Sequence, residues 1–229
     1  MAKTILVVGF GPGISSGVAE KFGKEGFSVA LVARSEERLA EGVKSLEAKG
    51  VKAAGFTANA ADPSSLRAAI AQARDALGPI AVIHWNAYGA EAGDILSAST
   101  DEVRAAFDVA VVGLVATVQA ALPDLKSSKD GAVLVTNGAF GDISLEVDKL
   151  AVDFKSAGLA LSNAAKHKLV GLLAKALEAD GVYVGEVVVA GTIKGTAWDR
   201  GNATLTGAAV ADECWRLYRA RGEIRARVS

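Results

Sequence analysis

Cysteine is nearly absent from this chain of 229 residues, in which Cys214 is the single example. One thiol cannot form an internal disulfide, and its neighbours have no metal-ligand spacing. This usage fits a reducing compartment, so we expect a cytoplasmic protein without a metal site.

An excess of either charge is also lacking, because 25 basic residues balance 26 acidic ones for a net charge of −1. A balanced surface has no broad basic field, which excludes general attraction to nucleic acid or to an anionic membrane. The uncharged run 109–122 falls short of the roughly 20 residues that span a bilayer. The opening segment MAKTILVVGFGPG breaks into glycines too early for a signal peptide, so we expect no export.

Short β-branched runs alternate with helical patterns along the whole chain. This alternation predicts an α/β fold in one domain over 1–229, a doubly wound, parallel, seven-stranded Rossmann-like sheet with helices on both faces. The predicted strands are 4–8, 27–33, 51–57, 80–85, 132–136, 182–189 and 224–228. The predicted helices are 18–24, 36–49, 63–77, 100–126, one between 150 and 179, and 211–220.

The fourth of these helices has apolar residues at helical spacing, which predicts one buried stripe. The predicted stripe consists of Val103, Phe107, Val111, Leu114, Val115, Val118 and Leu122.

A glycine cluster, VVGFGPGISSGVA, lies between the first predicted strand and the first predicted helix. Gly9, Gly11 and Gly13, with Pro12 and Ile14, allow a tight turn that brings backbone amides close to a pyrophosphate. The alternative, a plain turn that needs positive φ angles, is less favoured because the strand–loop–helix context is the one dinucleotide binding requires.

From this loop onward the chain resembles the short-chain dehydrogenase/reductase family. Gly9 and Gly13 match the first two glycines of the family signature, and Ser15 replaces the third. The resemblance continues through VARSEERL, NAADPSSL, WNAYGA and VVVAGTI, each at the end of a predicted strand. It implies an oxidoreductase that binds NAD or NADP and forms a homodimer or homotetramer through helices four and five.

Arg34 follows the second strand, where this fold meets the adenosine ribose. Residues 32–35 contain no acidic side chain, and a guanidinium suits a phosphate, so we expect NADP, with NAD as the less favoured cofactor. The alternative is that Arg34 pairs with Glu36 or Glu37.

The resemblance implies that Asn59 and Ala60 border the adenine. It also implies that Asn86 and Ala87 match the family's Asn-Ala-Gly motif, in which Tyr88 replaces the glycine. The complete predicted cofactor set is Gly9, Gly11, Pro12, Gly13, Ile14, Arg34, Asn59, Ala60, Asn86, Ala87, Tyr88 and Ile193.

The family's proton relay uses an Asn, a Ser and a Tyr-x-x-x-Lys motif. In this chain Ala110 stands at the Asn position and Gly138 at the Ser position, and no tyrosine lies between residues 89 and 182. Three registers place the Tyr–Lys pair at Ala151 and Lys155, at Leu159 and Asn163, or at Ser162 and Lys166.

Lys155 is the weak candidate for a retained lysine, with a solvated helix lysine as the equally favoured alternative. We therefore expect weak or absent turnover. The other hypothesis is an active NADP-dependent carbonyl or alcohol oxidoreductase that takes its proton from water, Lys155, Asp142 or Ser162.

His84 is predicted to be a packed or edge residue, and His167, between two lysines, to lie on a solvated helix face. The resemblance implies a substrate lid at about residues 192–208. This segment is short, which predicts a small, open or absent substrate pocket.

Overall fold

The computed structural model describes residues 3–229, so the first two residues of the opening segment lie outside the described part. Seven parallel strands form one sheet in the order β3-β2-β1-β4-β5-β6-β7. The strands are β1 Thr4–Val8, β2 Ser28–Ala33, β3 Ala53–Thr57, β4 Ile80–Trp85, β5 Ala132–Gly138, β6 Tyr183–Val189 and β7 Arg225–Val228. The predicted doubly wound α/β fold is confirmed.

Eight α-helices connect these strands within the described residues. They are α1 Ile14–Lys24, α2 Glu36–Glu47, α3 Pro63–Leu77, α4 Thr100–Phe107, α5 Leu114–Ser127, α6 Leu145–Asp153, α7 Ala157–Leu177 and α8 Gly207–Ala220. The helix predicted over 63–77 is confirmed as α3: the Asp62 side chain accepts a hydrogen bond from the Ser64 amide, and Pro63 opens the helix.

The strand order reverses between β1 and β4, since the chain moves outward from β1 to β3 and then returns to β4. Ligands of such sheets bind beyond the carboxyl ends of the strands at this reversal. The loops that follow β1, β2, β4, β5 and β6 all emerge at that edge, so the candidate site is assembled from them.

Each face of the sheet is covered by its own apolar layer. Helices α1, α2 and α8 pack on one face, where Phe22 of α1 is fully buried. Helices α3, α5 and α7 pack on the other, where Trp85 of β4 is the largest fully buried side chain. Burial of this apolar surface is the main force that holds the loops in place.

The predicted stripe on the fourth helix is wrong in part. A π-helical turn, Asp108–Gly113, separates α4 from α5 and adds a residue that shifts the phase of the helix. Leu114 and Val118 are buried as predicted, but the other five stripe residues are only half-buried. The buried face is instead Ala106, Ala110, Leu114, Thr117, Val118, Ala121 and Leu125.

Helix α4, the π-helical turn and α5 form one continuous helical segment, Thr100–Ser127. Within the described range, this is the one helix that is long and apolar enough to cross a membrane, by length and composition. In this structure its buried face packs against α3, α7 and β4, as part of the layer that covers the sheet.

The helix predicted between residues 150 and 179 is α7, but a second helix before it was not predicted. Two helices, α6 and α7, occupy this region, and the chain turns between them at Lys155, where φ is +49°. Apolar residues continue through both helices, and sequence periodicity therefore did not mark the break.

Thr117 on α5 is completely buried, and its hydroxyl has no hydrogen-bond partner among residues 3–229. Valine has the same shape without the unsatisfied hydroxyl, so we expect Thr117→Val to raise the free energy of unfolding by about 1 kcal/mol. Urea unfolding measures the change. As a control, Thr4→Val should destabilise, because the buried Thr4 hydroxyl donates to the Leu77 carbonyl at 2.9 Å.

Candidate functional site

The glycine loop between β1 and α1 is packed against the loops after β2 and β4. Gly9 and Gly13 have φ angles of +82° and +91°, which L side chains rarely adopt. A β-carbon on Gly9 would also lie 2.5 Å from the backbone nitrogen of Ala87. The Asn86 side chain donates to the Gly9 carbonyl at 3.4 Å, and the Gly9 amide donates to Val32 at 3.0 Å. Three loops therefore meet at one point.

Helix α1 begins at this point without a side-chain cap, so its first amides are available to an anion. Inside the loop the Gly11 amide donates to the Ser15 hydroxyl at 2.9 Å, and that hydroxyl donates to the Gly11 carbonyl at 3.0 Å. Ser15 is completely buried, so the residue that replaces the third glycine fastens the loop to the helix. Pro12 is exposed on the rim, and Ile14 is half-buried.

Two arginines flank the glycine loop. Arg34 is exposed directly after β2, and within residues 3–229 no ion pair joins it to Glu36 or Glu37. Arg38, one helical turn further on, lies beside the loop: a β-carbon on Gly11 would be 3.9 Å from its guanidinium. Both guanidinium groups are without a hydrogen-bond partner in the described chain, which leaves two exposed positive charges where the ribose is expected.

The loop after β3 carries Asn59 and Ala60. The Asn59 side-chain oxygen accepts from the Ala61 amide at 3.1 Å, which holds the exposed residue in a turn and leaves its amino group facing solvent. Ala60 is half-buried against the core.

The segment between β6 and α8 closes over the glycine loop. A β-carbon on Gly13 would lie 2.8 Å from the Thr196 methyl group and 3.3 Å from Ile193. Ile193 is buried and forms an isolated bridge with Leu205. The predicted cofactor residues Gly13 and Ile193 are therefore in contact.

The Asp199 carboxylate organises this segment. It accepts hydrogen bonds from the amides of Gly195 at 3.0 Å, Gly201 at 2.8 Å and Ala203 at 3.3 Å. These bonds, that from Gly195 foremost, lower the pKa of Asp199. One carboxylate therefore joins three backbone amides of the segment between β6 and α8.

Tyr88 meets the lid through a single contact. The Trp198 indole donates to the Tyr88 hydroxyl at 3.2 Å, and both rings are about half exposed. Tyr88 follows β4 and Trp198 follows β6, so this contact passes over the end of β5, the strand between them.

Two positions of the proton relay lie on the π-turn and on β5. Ala110, in the π-turn, is completely buried, and Gly138 ends β5. A β-carbon on Gly138 would lie 2.7 Å from the side-chain nitrogen of Asn163 on α7. Any side chain at position 138 therefore conflicts with Asn163.

The three registers of the Tyr–Lys motif fall at different places. Lys155 is exposed in the turn between α6 and α7, with its carbonyl against Gly93. Leu159 and Asn163 are on α7, four residues apart and so on one face, with Asn163 opposite Gly138.

The remaining candidates are Ser162 and Lys166, which form the third register, and Asp142. Ser162 and Lys166 are both buried on α7, and the Ser162 hydroxyl donates to the Leu159 carbonyl at 3.1 Å. The Asp142 carboxylate forms an ion pair with Arg227 at 2.9 Å.

His84 is packed in the core, as its position in a strand predicts. It is fully buried 2.9 Å from the Thr136 hydroxyl, and burial lowers its pKa to about 3, so it is neutral. The prediction for His167 is correct only in part: its side chain is 43% exposed, but its Nδ1 lies 2.8 Å from the buried Glu186 carboxylate. In the part of the chain that the structure describes, no three His, Cys, Asp or Glu residues are grouped to hold a metal.

A buried polar cluster around Glu186 lies behind the site and was not foreseen. Asn137 donates to one Glu186 oxygen at 2.6 Å, and Arg225 donates to the other at 3.2 Å. Lys166 is nearby: burial lowers its pKa to about 8, and the Glu186 carboxylate acts in the opposite direction. Asn137 also donates to the Asn163 carbonyl at 2.9 Å, which ties the cluster to the relay positions.

Sequence reasoning missed Arg38, Asp199 and Trp198 as site residues. Arg38 could have been found, because it is four residues beyond Arg34 and shares its side of the helix start. Asp199 and Trp198 carried no comparable signal, since their partners lie in loops that are distant along the chain.

The family model for short chain dehydrogenase matches residues 3–201. Oxidoreductase UcpA of Escherichia coli strain K12 is 28% identical over 180 residues, which cover 76% of this chain and 67% of that protein.

Two solved structures share the fold. L-Sorbose reductase from Gluconobacter frateurii, complexed with NADPH and L-sorbose, superposes with a TM-score of 0.86 at 20% identity, covering all of this chain and 95% of that one. The NADPH-bound short chain oxidoreductase of Pseudomonas aeruginosa PAO1, described as containing an atypical catalytic center, gives 0.87 at 18% identity over 99% and 95%. With the family model covering most of its length, the chain belongs to the short-chain dehydrogenase family.

Proposed function

We propose that this family member binds NADP(H) in the cleft over β1 and β4 and reduces ordinary carbonyl compounds weakly or not at all. The observation that carries the cofactor choice is the pair of unpaired guanidinium groups, Arg34 and Arg38, beside the glycine loop. NADPH differs from NADH by a 2′-phosphate, and arginine forks match phosphate oxygens in charge and geometry.

The residues at the cleft fit the rest of the dinucleotide. The uncapped start of α1 suits the pyrophosphate, and the loop with Asn59 and Ala60 suits the adenine. Bound NADPH would supply a hydride. Ala110, Gly138 and Asn163, the groups at the relay positions, are not proton donors near neutral pH, which is why we propose weak turnover.

Thermal unfolding tests the cofactor choice. At a hundredfold excess over its dissociation constant NADPH should stabilise by about 2.7 kcal/mol, or roughly 5–10 °C for a chain of this size. NADH at the same concentration should give a smaller shift. Arg34→Ala and Arg38→Ala should each weaken NADPH binding about tenfold or more and leave NADH binding unchanged.

Arg67→Ala is the matched control, because Arg67 is also an exposed helix arginine but lies on α3. Equal shifts with NADPH and NADH, unchanged by either substitution beside the glycine loop, would contradict the proposal.

A second candidate function is an active reductase with an unusual proton donor. Lys166 favours it, because its pKa of about 8 suits proton transfer near neutral pH and it is one turn along α7 from Asn163. Efficient ketone reduction that is lost in Lys166→Met would select this candidate.

A further inference from the structure

The Asn163 amide occupies the space that a side chain on residue 138 would need. Its nitrogen is the nearest heavy atom to a β-carbon built on Gly138, at 2.7 Å. Glycine at 138 and asparagine at 163 are therefore a matched pair, in which the polar group at the end of β5 comes from α7.

This amide is buried but has no partner. Asn163 is 2% exposed, and no hydrogen bond among residues 3–229 uses its side chain. The fully enclosed polar atoms without partners are His84 Nδ1, Trp85 Nε1 and Thr117 Oγ1. Since the Asn163 amide is not one of them, its small remaining exposure lies at the amide, beside Gly138 at the carboxyl end of β5.

The backbone around Asn163 is fixed from two sides. Its carbonyl accepts from Asn137 at 2.9 Å, and the Asn137 oxygen accepts from the Gly138 amide at 3.1 Å. Gly141 lets the turn after β5 approach α7, because a β-carbon there would lie 2.7 Å from the Asn163 carbonyl carbon. An amide held in this way is preorganised, which is the property that makes a hydrogen-bond donor effective in catalysis.

We propose that the Asn163 amide binds the carbonyl oxygen of the hydride acceptor, in the place where a residue-138 side chain would act. This rests on the proposed function, because it requires NADPH in the cleft. An amide N–H donates a hydrogen bond to a carbonyl oxygen, and the bond strengthens as negative charge develops there. The amide keeps its proton, so the reduced oxygen takes its proton from water.

Phenanthrenequinone is the probe, because it does not depend on a protein acid. Its reduction takes one hydride from NADPH and one proton from water, and gives the hydroquinone and NADP⁺. The half-exposed Trp198 ring provides a fluorescence signal for binding to protein saturated with NADP⁺. Binding is thereby measured without turnover.

Three variants change the amide in different ways. Asn163→Leu removes the donor at similar size, and Asn163→Ala removes it without bulk should the leucine variant fail to fold. Gly138→Ala keeps the amide and displaces it. Each should weaken quinone binding about five- to tenfold and lower kcat for the quinone about a hundredfold, with the NADPH-induced thermal shift unchanged. Thr117→Val, which also changes a buried unpartnered group, should leave both quinone measurements unchanged.

The outcomes are distinct. Quinone binding that is unaffected in all folded variants, or absent in the unmodified protein with NADP⁺ bound, overturns the inference alone. A parallel loss of NADPH and quinone binding in Asn163→Ala also overturns it, because the amide would then hold the cofactor. An unmodified protein that NADPH does not stabilise removes the proposed function and this inference together.

Discussion

Reduction of simple aldehydes and ketones by NADPH should be about a hundred- to ten-thousandfold slower with this protein than with a family member that has the tyrosine. That range is what general acid catalysis typically supplies, and no tyrosine lies between residues 89 and 182. Bound reactants still gain from proximity, so a residual rate is expected. Single-turnover NADPH oxidation, followed by absorbance, measures it.

The structure also specifies how activity could be restored. Gly138→Ser alone should fail, because its side chain would collide with the Asn163 amide. Combined with Leu159→Tyr and Asn163→Lys, it places serine, tyrosine and lysine on the two elements that face each other at the end of β5. A gain of about a hundredfold or more over the parent would support the Leu159–Asn163 register. Efficient reduction by the unmodified protein would contradict the expectation outright.

The sheet could be predicted because its signals are local. Each strand is a short β-branched run closed by glycine, proline or a polar loop, and strand–helix alternation restricts the connections to right-handed crossovers. The position and conformation of the glycine turn were predicted for the same reason, since Gly9 and Gly13 stand between a strand and a helix and have positive φ angles. Its role in binding a dinucleotide stays a prediction. The formation of a homodimer or homotetramer through the fourth and fifth predicted helices stays a prediction.

The rest depended on contacts between distant segments. The π-turn in the fourth helix leaves the sequence pattern almost unchanged, so helical periodicity placed the buried stripe on the wrong residues. His167, between two lysines, has the composition of a solvated face. Its partner Glu186 lies 19 residues further along the chain, in β6. Asn137 and Arg225 lie in β5 and β7. Such a polar cluster is a property of the assembled sheet.

The position of Asn163 opposite Gly138 was equally beyond sequence reasoning. Three registers of the Tyr–Lys pair fitted the spacing, and the choice among them depends on where α6 ends and α7 begins. The spacing from Gly138 that is typical of the family predicted the lysine at Lys155. The extra helix α6 instead leaves it in an exposed turn.

Because of Lys166, the free energy of unfolding should change with pH in the alkaline range. Its folded-state pKa is about 8 against an ordinary value of 10.5, so between these values the unfolded chain binds more protons than the folded one. Stability should therefore rise as the pH increases from about 8 to 10.5, by up to about 1.4 kcal/mol per pH unit. Below pH 8 the full cost of the buried ammonium, about 3 kcal/mol, is present. Lys166→Met should remove both the cost and the slope.

Glu186→Gln should lower the free energy of unfolding by about 3–5 kcal/mol, the usual cost of breaking a buried ion pair by removing one partner. Glu186 is completely buried, and the substitution leaves Arg225 and the Lys166 ammonium without their carboxylate. In the Lys166→Met background the same change should cost about 1 kcal/mol less, since the buried ammonium is gone. Urea unfolding of all four proteins at pH 7 gives this coupling. An unchanged stability of Glu186→Gln would show that the cluster does not hold β5, β6 and β7 to α7, and equal costs in both backgrounds would show that Lys166 is not coupled to Glu186.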